Sequence, residues 1–185
     1  MQTPERFAAL DVETPNAAND RISAIGVVVL DRGEISDRFY TLVDPQTHFD
    51  AFNIRLTGIT PRMVRGCPDF GTLWPTLRPY LEQGILAAHN APFDLGVLAS
   101  CLRSYGIDWK PEVEYLCTCR MGRKLLPELP DHRLDTMAAH FRLPLDHHNA
   151  ASDTLVCAQL LQRYLLSGAD PMDYVRRYDL QKHRR

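Results

Sequence analysis

The sequence lacks any apolar run long enough to cross a membrane and any cysteine pattern typical of a disulfide framework. No stretch approaches the roughly 20 apolar residues that span a bilayer, and the first residues lack the basic start and apolar segment of a signal peptide. The five cysteines are an odd number, and Cys117 and Cys119 stand one residue closer than the usual C-x-x-C zinc or redox spacing. We therefore expect no membrane association, reduced thiols and a cytoplasmic protein.

Lysine is also scarce, and the net charge has the wrong sign for a simple nucleic-acid-binding protein. Only 3 of the 21 basic residues are lysines. The arginine excess reflects either genome composition or the good fit of the guanidinium group to phosphate. A net charge of −2 does not favour a phosphate backbone, but two bound divalent cations would add four positive charges. The composition thus leaves nucleic-acid binding open if the protein binds metal.

The order of apolar segments predicts an α/β fold in one main domain. Strands first and then strands alternating with helices indicate a mixed sheet flanked by helices, and the first three strands should form an antiparallel meander. The five predicted strands lie at 7–13, 21–30, 35–43, 85–88 and 114–118. The predicted helices lie around 54, 61–65, 70–82, 91–105, 119–126, 133–140 and 150–167. We expect a domain over residues 1–167 and a C-terminal tail over residues 168–185.

Three acidic residues stand where a fold could aim them at one point. Asp11 and Glu13 are two residues apart at the end of the first strand, so their side chains share one face. Two unpaired carboxylates on a buried strand would carry a large desolvation cost, so metal or basic groups must accompany them. Asp94 falls in the first turn of a helix predicted to be capped by Asn90, where the helix dipole alone would also favour an acid. Divalent cations with oxygen ligands are the usual partners of such clusters.

A histidine and a fourth acid precede and open the last long helix. With Asn149 as the predicted N-cap, Asp153 falls in the first helical turn and His148 lies on the preceding loop. A neutral imidazole there is suited to take a proton from water near neutral pH, although the neighbouring His147 is an alternative candidate. We expect His89, in contrast, to support its own turn through hydrogen bonds.

Together these segments resemble the three motifs of the DEDDh superfamily of 3′–5′ exonucleases. The motifs are D-V-E at 11–13, H-N-A-P-F-D at 89–94 and H-N-A-A-S-D at 148–153, and G-I-T at 58–60 resembles a further family segment. The superfamily includes the proofreading epsilon subunit of bacterial DNA polymerase III and ribonuclease T. Its tyrosine branch has a tyrosine where this chain has Asn149, so His148 indicates the histidine branch. The resemblance covers about residues 6–166 and implies a ribonuclease H-like exonuclease fold with a five-stranded mixed sheet.

The resemblance also implies a mechanism and a set of site residues. Four carboxylates would hold two Mg²⁺ or Mn²⁺ ions: Asp11, Glu13, Asp94 and Asp153. His148 would be the general base. By the same analogy, five residues would contact the terminal nucleotide: Thr14, Leu56, Thr57, Ile59 and Phe93. Leu56 and Ile59 would equally suit a helix core, and Phe93 would either pack in the core or stack on a base. Thr14 precedes Pro15, where many relatives have glycine. Arg120, Arg123 and Lys124 form a basic patch that suits either backbone phosphate or solvent.

The leading hypothesis from the sequence is a metal-dependent 3′–5′ exonuclease that converts single-stranded or frayed DNA to nucleoside 5′-monophosphates, in proofreading or repair. One alternative is a 3′–5′ exoribonuclease that trims RNA, since the metal site cannot read the 2′-hydroxyl that separates the two substrates. A second is a non-catalytic, polymerase-associated module that binds nucleic acid. No appended polymerase-binding region of appreciable length is evident, so a polymerase partner is left unsupported.

Overall fold

The computed structural model describes residues 5–181, which form a six-stranded mixed sheet in the order β3-β2-β1-β4-β5-β6. The first four residues and the basic end of the predicted tail, residues 182–185, lie outside the described range. The strands β1, β2 and β3 form the expected antiparallel meander, β4 and β5 run parallel to β1, and β6 is antiparallel to β5. The strands are β1 Arg6–Glu13, β2 Ala24–Asp31, β3 Glu34–Leu42, β4 Ile85–Ala88, β5 Glu112–Cys117 and β6 Arg176–Asp179.

Helices cover both faces of the sheet, which confirms the predicted α/β architecture. They are α1 Ala51–Thr57, α2 Pro61–Val64, α3 Phe70–Leu81, α4 Pro92–Ser104, α5 Thr118–Leu125, α6 Leu134–Phe141 and α7 Ala150–Leu166. The alternation of side chains along β1 divides the core. Leu10 and Val12 pack in one cluster with α3 and α4, whereas Phe7 and Ala9 pack in another with α5, α6 and α7. No helix among residues 5–181 has the length and apolarity to traverse a bilayer.

The prediction of five strands was wrong by one, because the segment after Gly168 adds β6 to the sheet. The strand reads Arg-Arg-Tyr-Asp and is largely exposed at the sheet edge, so it lacks the apolar alternation by which strands are found in a sequence. Leu180, directly after it, is buried, and its carbonyl accepts a hydrogen bond from the Arg103 guanidinium at 2.9 Å. A domain boundary at residue 167 stays a prediction.

The two predicted asparagine caps differ in outcome. Asn149 caps α7 as expected, because its side chain accepts the backbone N–H of Ala151 at 3.2 Å. Asn90 does not cap α4: it adopts a left-handed conformation with φ of 71°, and the cap position is held by Ala91. Asparagine is one of the few residues that tolerates this conformation, so its turn chemistry outweighs its capping preference here.

Helix α7 crosses the sheet unusually closely at Gly26. This residue pairs with Asp11 across β1 and β2, and a methyl group added to it would overlap the Ala150 carbonyl and the Thr154 hydroxyl. The absence of a side chain thus lets the first turn of α7 approach the strand that carries Asp11. The position of Asp153 relative to Asp11 depends on this contact.

Replacing Gly26 with alanine is expected to displace the start of α7 and damage the site. Overpacking of this kind costs about 1–3 kcal/mol, so the melting temperature should fall by about 5 °C. Activity should fall at least about tenfold, since small displacements of catalytic groups are costly. Gly71→Ala is the control, because its methyl group would meet chiefly the ring of Tyr105 and none of the four predicted metal ligands. Equal activity of both variants would show that the close approach at Gly26 is unimportant.

Candidate active site

Four carboxylates from three elements meet at the end of the central strand. Asp11 and Glu13 end β1 and project toward α7, where Asp153 lies in the first turn. Ligand oxygens of these three residues lie within 4.8 Å of one another. Asp94, in the first turn of α4, is joined to the same strand by the backbone N–H of Val12, which donates to its Oδ1 at 3.2 Å. The structure therefore brings together all four acids predicted from the motifs.

Burial raises the pKa of every carboxyl group in this cluster, and repulsion from other acids of the cluster adds to the shift for Asp11, Glu13 and Asp94. Desolvation is the largest cause in each case. It raises the pKa of Glu13 to about 8, with further contributions from the charges of Asp153 and Asp94. The pKa of Asp94 rises to about 8 and that of Asp153 to about 6. Asp11 has neighbouring charges from all three other acids, and its pKa is raised well above its usual range. Without a counter-cation, the fully ionised cluster is therefore unfavourable at neutral pH.

The donor set fits a hard divalent cation. The buried Oδ1 of Asp153 has no hydrogen-bond partner in the described structure, while its Oδ2 accepts the backbone N–H of His148 at 3.0 Å. An unpaired buried carboxylate oxygen is costly unless a cation or a donor meets it. Oxygen ligands from several carboxylates suit Mg²⁺ and Mn²⁺. Asp11, Glu13 and Asp153 thus form one group that could hold metal, and Asp94 adds a fourth carboxylate beside it. Asp153 also forms a second such group with His147 and His148.

Two stacked histidines stand beside Asp153. The rings of His147 and His148 are parallel within 9°, with centroids 4.0 Å apart. His148 adopts a left-handed conformation, with φ of 65°, immediately before the cap of α7. Partial burial, followed by the charge of His147, lowers the pKa of His148, so its imidazole is neutral at pH 7. His147 Nε2 lies 4.0 Å from Asp153 Oδ2, so geometry leaves it a competitor for the catalytic role.

His89 is held by hydrogen bonds at both ring nitrogens. Its Nε2 lies 2.9 Å from the His132 carbonyl oxygen, and its Nδ1 lies 2.9 Å from the Thr118 hydroxyl. A carbonyl only accepts, so Nε2 carries the proton and Nδ1 accepts from Thr118. Burial is the main cause that lowers the pKa of His89 to about 4. This neutral ring, hydrogen-bonded at both nitrogens, supports the turn before α4, as expected from the sequence.

A cavity of about 730 Å³ opens over the carboxylates. Of the five residues predicted to contact substrate, four line it: Thr14, Leu56, Thr57 and Phe93. Ile59 does not line the cavity; it is buried in a small cluster with Ala24, Val64 and Ala150. The physical reason is Gly58, whose φ of 71° ends α1 and turns the next residue inward. Phe93 combines both predicted roles, because it also packs against the core.

Two cavity-lining residues on α1 were missed in the sequence. Phe52 is 62% exposed and lines the cavity one turn before Leu56, and this i, i+4 apolar pair could have been noticed. Asn53 is buried, and its Nδ2 donates to the Thr14 carbonyl at 2.9 Å. That bond fastens α1 to the end of β1. The wall of the cavity is thereby tied to the strand that carries Asp11 and Glu13.

The basic patch predicted on α5 is divided by the structure. Arg123 lines the cavity. Arg120 and Lys124 do not; both border a small hollow beside β6, where the Lys124 ammonium lies 5.3 Å from the centre of the Tyr174 ring. Of these three residues, only Arg123 is therefore placed to meet a phosphate group inside the cavity.

The raised carboxyl pKa values predict an unusual pH dependence for the metal-free protein. A carboxyl group whose pKa is higher in the folded state binds protons more tightly when folded, so stability falls as pH rises from the unfolded value near 4 through the folded values. Here those values are about 6 for Asp153 and about 8 for Glu13 and Asp94. The melting temperature in chelator should therefore fall from about pH 5 to about pH 8.5.

Mn²⁺ should raise the melting temperature, most strongly at the alkaline end, where the carboxylates are ionised. Thermal melts with and without Mn²⁺ across this range make the measurement. A metal-free melting temperature that increases steadily with pH would contradict the charge distribution described here.

The chain matches a known protein family over most of its length. The RNase_T family model, described as an exonuclease family, matches residues 8–161. DNA polymerase III PolC-type from Bacillus subtilis (strain 168) is 35% identical over 169 residues, covering 90% of this chain and 12% of that protein. The corresponding protein of Clostridium perfringens (strain 13 / Type A) is 33% identical over 172 residues, covering 91% of this chain. The chain thus spans 12% of the length of either polymerase.

Solved nuclease structures share the fold. Exonuclease X in complex with 5′ overhanging duplex DNA superposes with a TM-score of 0.70 at 24% identity, over 88% of this chain and 93% of that one. The nuclease domain of 3′hExo, a DEDDh family member bound to rAMP, gives a TM-score of 0.76 at 20% identity, over 91% and 96% of the two chains. At these identities the likeness concerns the arrangement of strands and helices.

Proposed function

The chain belongs to the RNase_T exonuclease family, and on that premise we propose that it is a 3′–5′ exonuclease of the DEDDh type, which removes nucleoside 5′-monophosphates from the 3′ end of single-stranded or frayed DNA. One observation carries this proposal: four carboxylates with raised pKa values converge at the base of an open cavity beside a neutral histidine. Proofreading or repair is the role supported by the similarity to DNA polymerase III PolC-type proteins.

In this proposal the four carboxylates hold two Mg²⁺ or Mn²⁺ ions. When bound, the ions would neutralise the cluster and stabilise negative charge that develops on the scissile phosphate. The protein's part is to fix the ligands on rigid elements. The Val12 N–H orients Asp94, and the His148 N–H orients Asp153. Each bond leaves the second oxygen of the carboxylate available for metal.

His148 is proposed as the general base. It lies at the cavity on the loop before α7, and its neutral imidazole would accept the proton of the attacking water. The ring of His147 stacks on it. The backbone N–H of His148 bonds to Asp153, so the base and a metal ligand are positioned together.

The apolar wall of the cavity is proposed to hold the terminal nucleotide. Phe52 and Leu56 project from α1, and Phe93 faces the same space from α4. Aromatic side chains bind bases by stacking without regard to sequence. Thr14 and Thr57 also line the cavity and carry hydroxyl groups, which suit polar contacts to the sugar or phosphate.

Phe52→Ala is expected to raise KM for a DNA single strand by about tenfold with little change in kcat, because base stacking contributes about 1–3 kcal/mol. Leu166→Ala is the matched control, since Leu166 is 75% exposed at the far end of α7. Steady-state digestion of a labelled strand provides both constants. A KM unchanged by Phe52→Ala would remove this side chain from the binding site.

The test of the proposal is digestion of matched 5′-labelled DNA and RNA single strands with Mg²⁺ or Mn²⁺, and with chelator as control. A metal-dependent ladder that shortens from the 3′ end is expected, with DNA degraded faster than RNA. Faster RNA digestion would favour RNA trimming; one solved structure with this fold is of a 3′-exonuclease that recognises a histone mRNA stem-loop. No ladder on either strand would favour a binding module without catalytic activity.

A further inference from the structure

Three exposed arginines lie on the segment that begins with the cavity-lining helix α1, but they do not line the cavity. Residues 51–68 contain three arginines and no acidic residue, although the whole chain has a net charge of −2. The three are Arg55 on α1, Arg62 on α2 and Arg65 at its end, and we call them the arginine shoulder. All three are exposed, and none forms an ion pair with any residue between 5 and 181. Their charge is therefore available to a ligand.

The shoulder is fixed to the same elements that carry the catalytic residues. Ile59 and Val64 are buried against Ala24, which pairs with Glu13 across the sheet, and against Ala150, the first residue of α7. The segment from α1 to α2 thus rests on the frame of the site through its inner face. Its outer face carries the three exposed arginines.

An apolar edge separates the shoulder from the cavity. Phe52 and Leu56 line the cavity and are 62% and 39% exposed, whereas none of the three arginines lines it. Phosphates that contact the three arginines would therefore lie outside the cavity.

We propose that the arginine shoulder binds the phosphate backbone of the complementary strand, so that the substrate class is a duplex whose 3′ end frays across the edge formed by Phe52 and Leu56. This inference rests on the proposed function and names the substrate of the same site. The charge complementarity is direct, because guanidinium groups bind phosphate in a bidentate manner. Each neutralised phosphate also adds about 0.9 to the slope of log affinity against log salt concentration.

The experiment compares one 5′-labelled DNA strand, alone and annealed to a complement, as substrates for the full chain. Arg62→Gln/Arg65→Gln is expected to raise KM for the duplex by about tenfold and to reduce the salt dependence of duplex binding by a slope of about 1–2. KM for the single strand should stay within about twofold. Arg142→Gln/Arg163→Gln is the control, because it removes the same charge from exposed positions elsewhere in the chain. It should leave KM unchanged for both substrates.

Two outcomes of this kinetic comparison would overturn the inference. Equal increases of KM for both substrates would mean that the shoulder contacts the digested strand. No change with either substrate would assign the surface to another ligand, such as a partner protein. A wild-type protein that degrades neither substrate would instead reject the proposed function. In that case, the affinities of the two double variants for the duplex can still be compared by fluorescence anisotropy in Ca²⁺. Equal affinities would overturn the inference independently of activity.

Discussion

Replacing Asp11 with asparagine is expected to lower turnover by at least about a thousandfold while making the metal-free protein more stable. The charge stabilisation supplied by metal at such a site is worth several kcal/mol, and each 1.36 kcal/mol is a factor of ten in rate. Asparagine has the same shape as aspartate but is neutral. It therefore removes a metal ligand and, at the same time, the repulsion that Asp11 receives from Asp94, Glu13 and Asp153.

The two effects of Asp11→Asn are measured independently. Initial rates on a labelled DNA strand with saturating Mn²⁺ give the loss of activity, and thermal melts in chelator near about pH 8 give the change in stability. Asp108→Asn is the control, because Asp108 is exposed and lies outside the cavity. A variant that is both inactive and less stable than wild type in chelator would indicate a structural role for Asp11. A variant with wild-type turnover would remove it from the catalytic site.

His148→Ala is expected to lower kcat by about 10²–10⁴-fold, the usual contribution of a general base, and His147→Ala by less than about tenfold. His148 is the more buried of the two, and burial is the main cause that lowers its pKa, so its imidazole is neutral and able to accept a proton at pH 7. His147 is the natural control, because it carries the same ring, stacks on His148 and also approaches Asp153.

The same pair of variants separates proton transfer from metal binding. The increase in melting temperature caused by Mn²⁺ should be nearly unchanged in His148→Ala, since its ring is proposed to act on water. The wild-type pH–rate profile should show a basic group with a pKa below the usual value for histidine, and this group should be absent from the profile of His148→Ala. A larger loss of kcat in His147→Ala would transfer the role to that residue.

The sequence was sufficient for the main fold and for the group of acids because the relevant signals are local. Asp11 and Glu13 stand at the end of a continuous apolar run, and Asp153 follows a cap residue at the proper spacing. Such patterns depend on the periodicity of a strand or a helix, and this periodicity can be recognised from the residues of one element alone. The structure supports the prediction that Asp94 joins the others, through the Val12 N–H that binds its carboxylate. Their catalytic roles stay predictions.

Features that depend on distant contacts could not be predicted in the same way. Strand β6 is polar and exposed, and it exists because β5 offers an edge for pairing. Leu56 and Ile59 looked equivalent in the sequence, but the turn at Gly58 sends one to the cavity and the other to the core. The pKa shifts likewise require three elements to meet, since burial and neighbouring charges from other segments cause them.

The central claim is that the carboxylate cluster performs metal-dependent hydrolysis at a 3′ end. The most direct measurement is release of nucleoside 5′-monophosphate from a DNA single strand by wild type and by Asp94→Asn, each with Mn²⁺ and with chelator. Asparagine at this position keeps an oxygen that can accept the Val12 N–H. We expect wild type to release mononucleotides with Mn²⁺. Almost no release is expected from wild type in chelator or from Asp94→Asn under either condition. Release that persists in Asp94→Asn or in chelator would contradict the account.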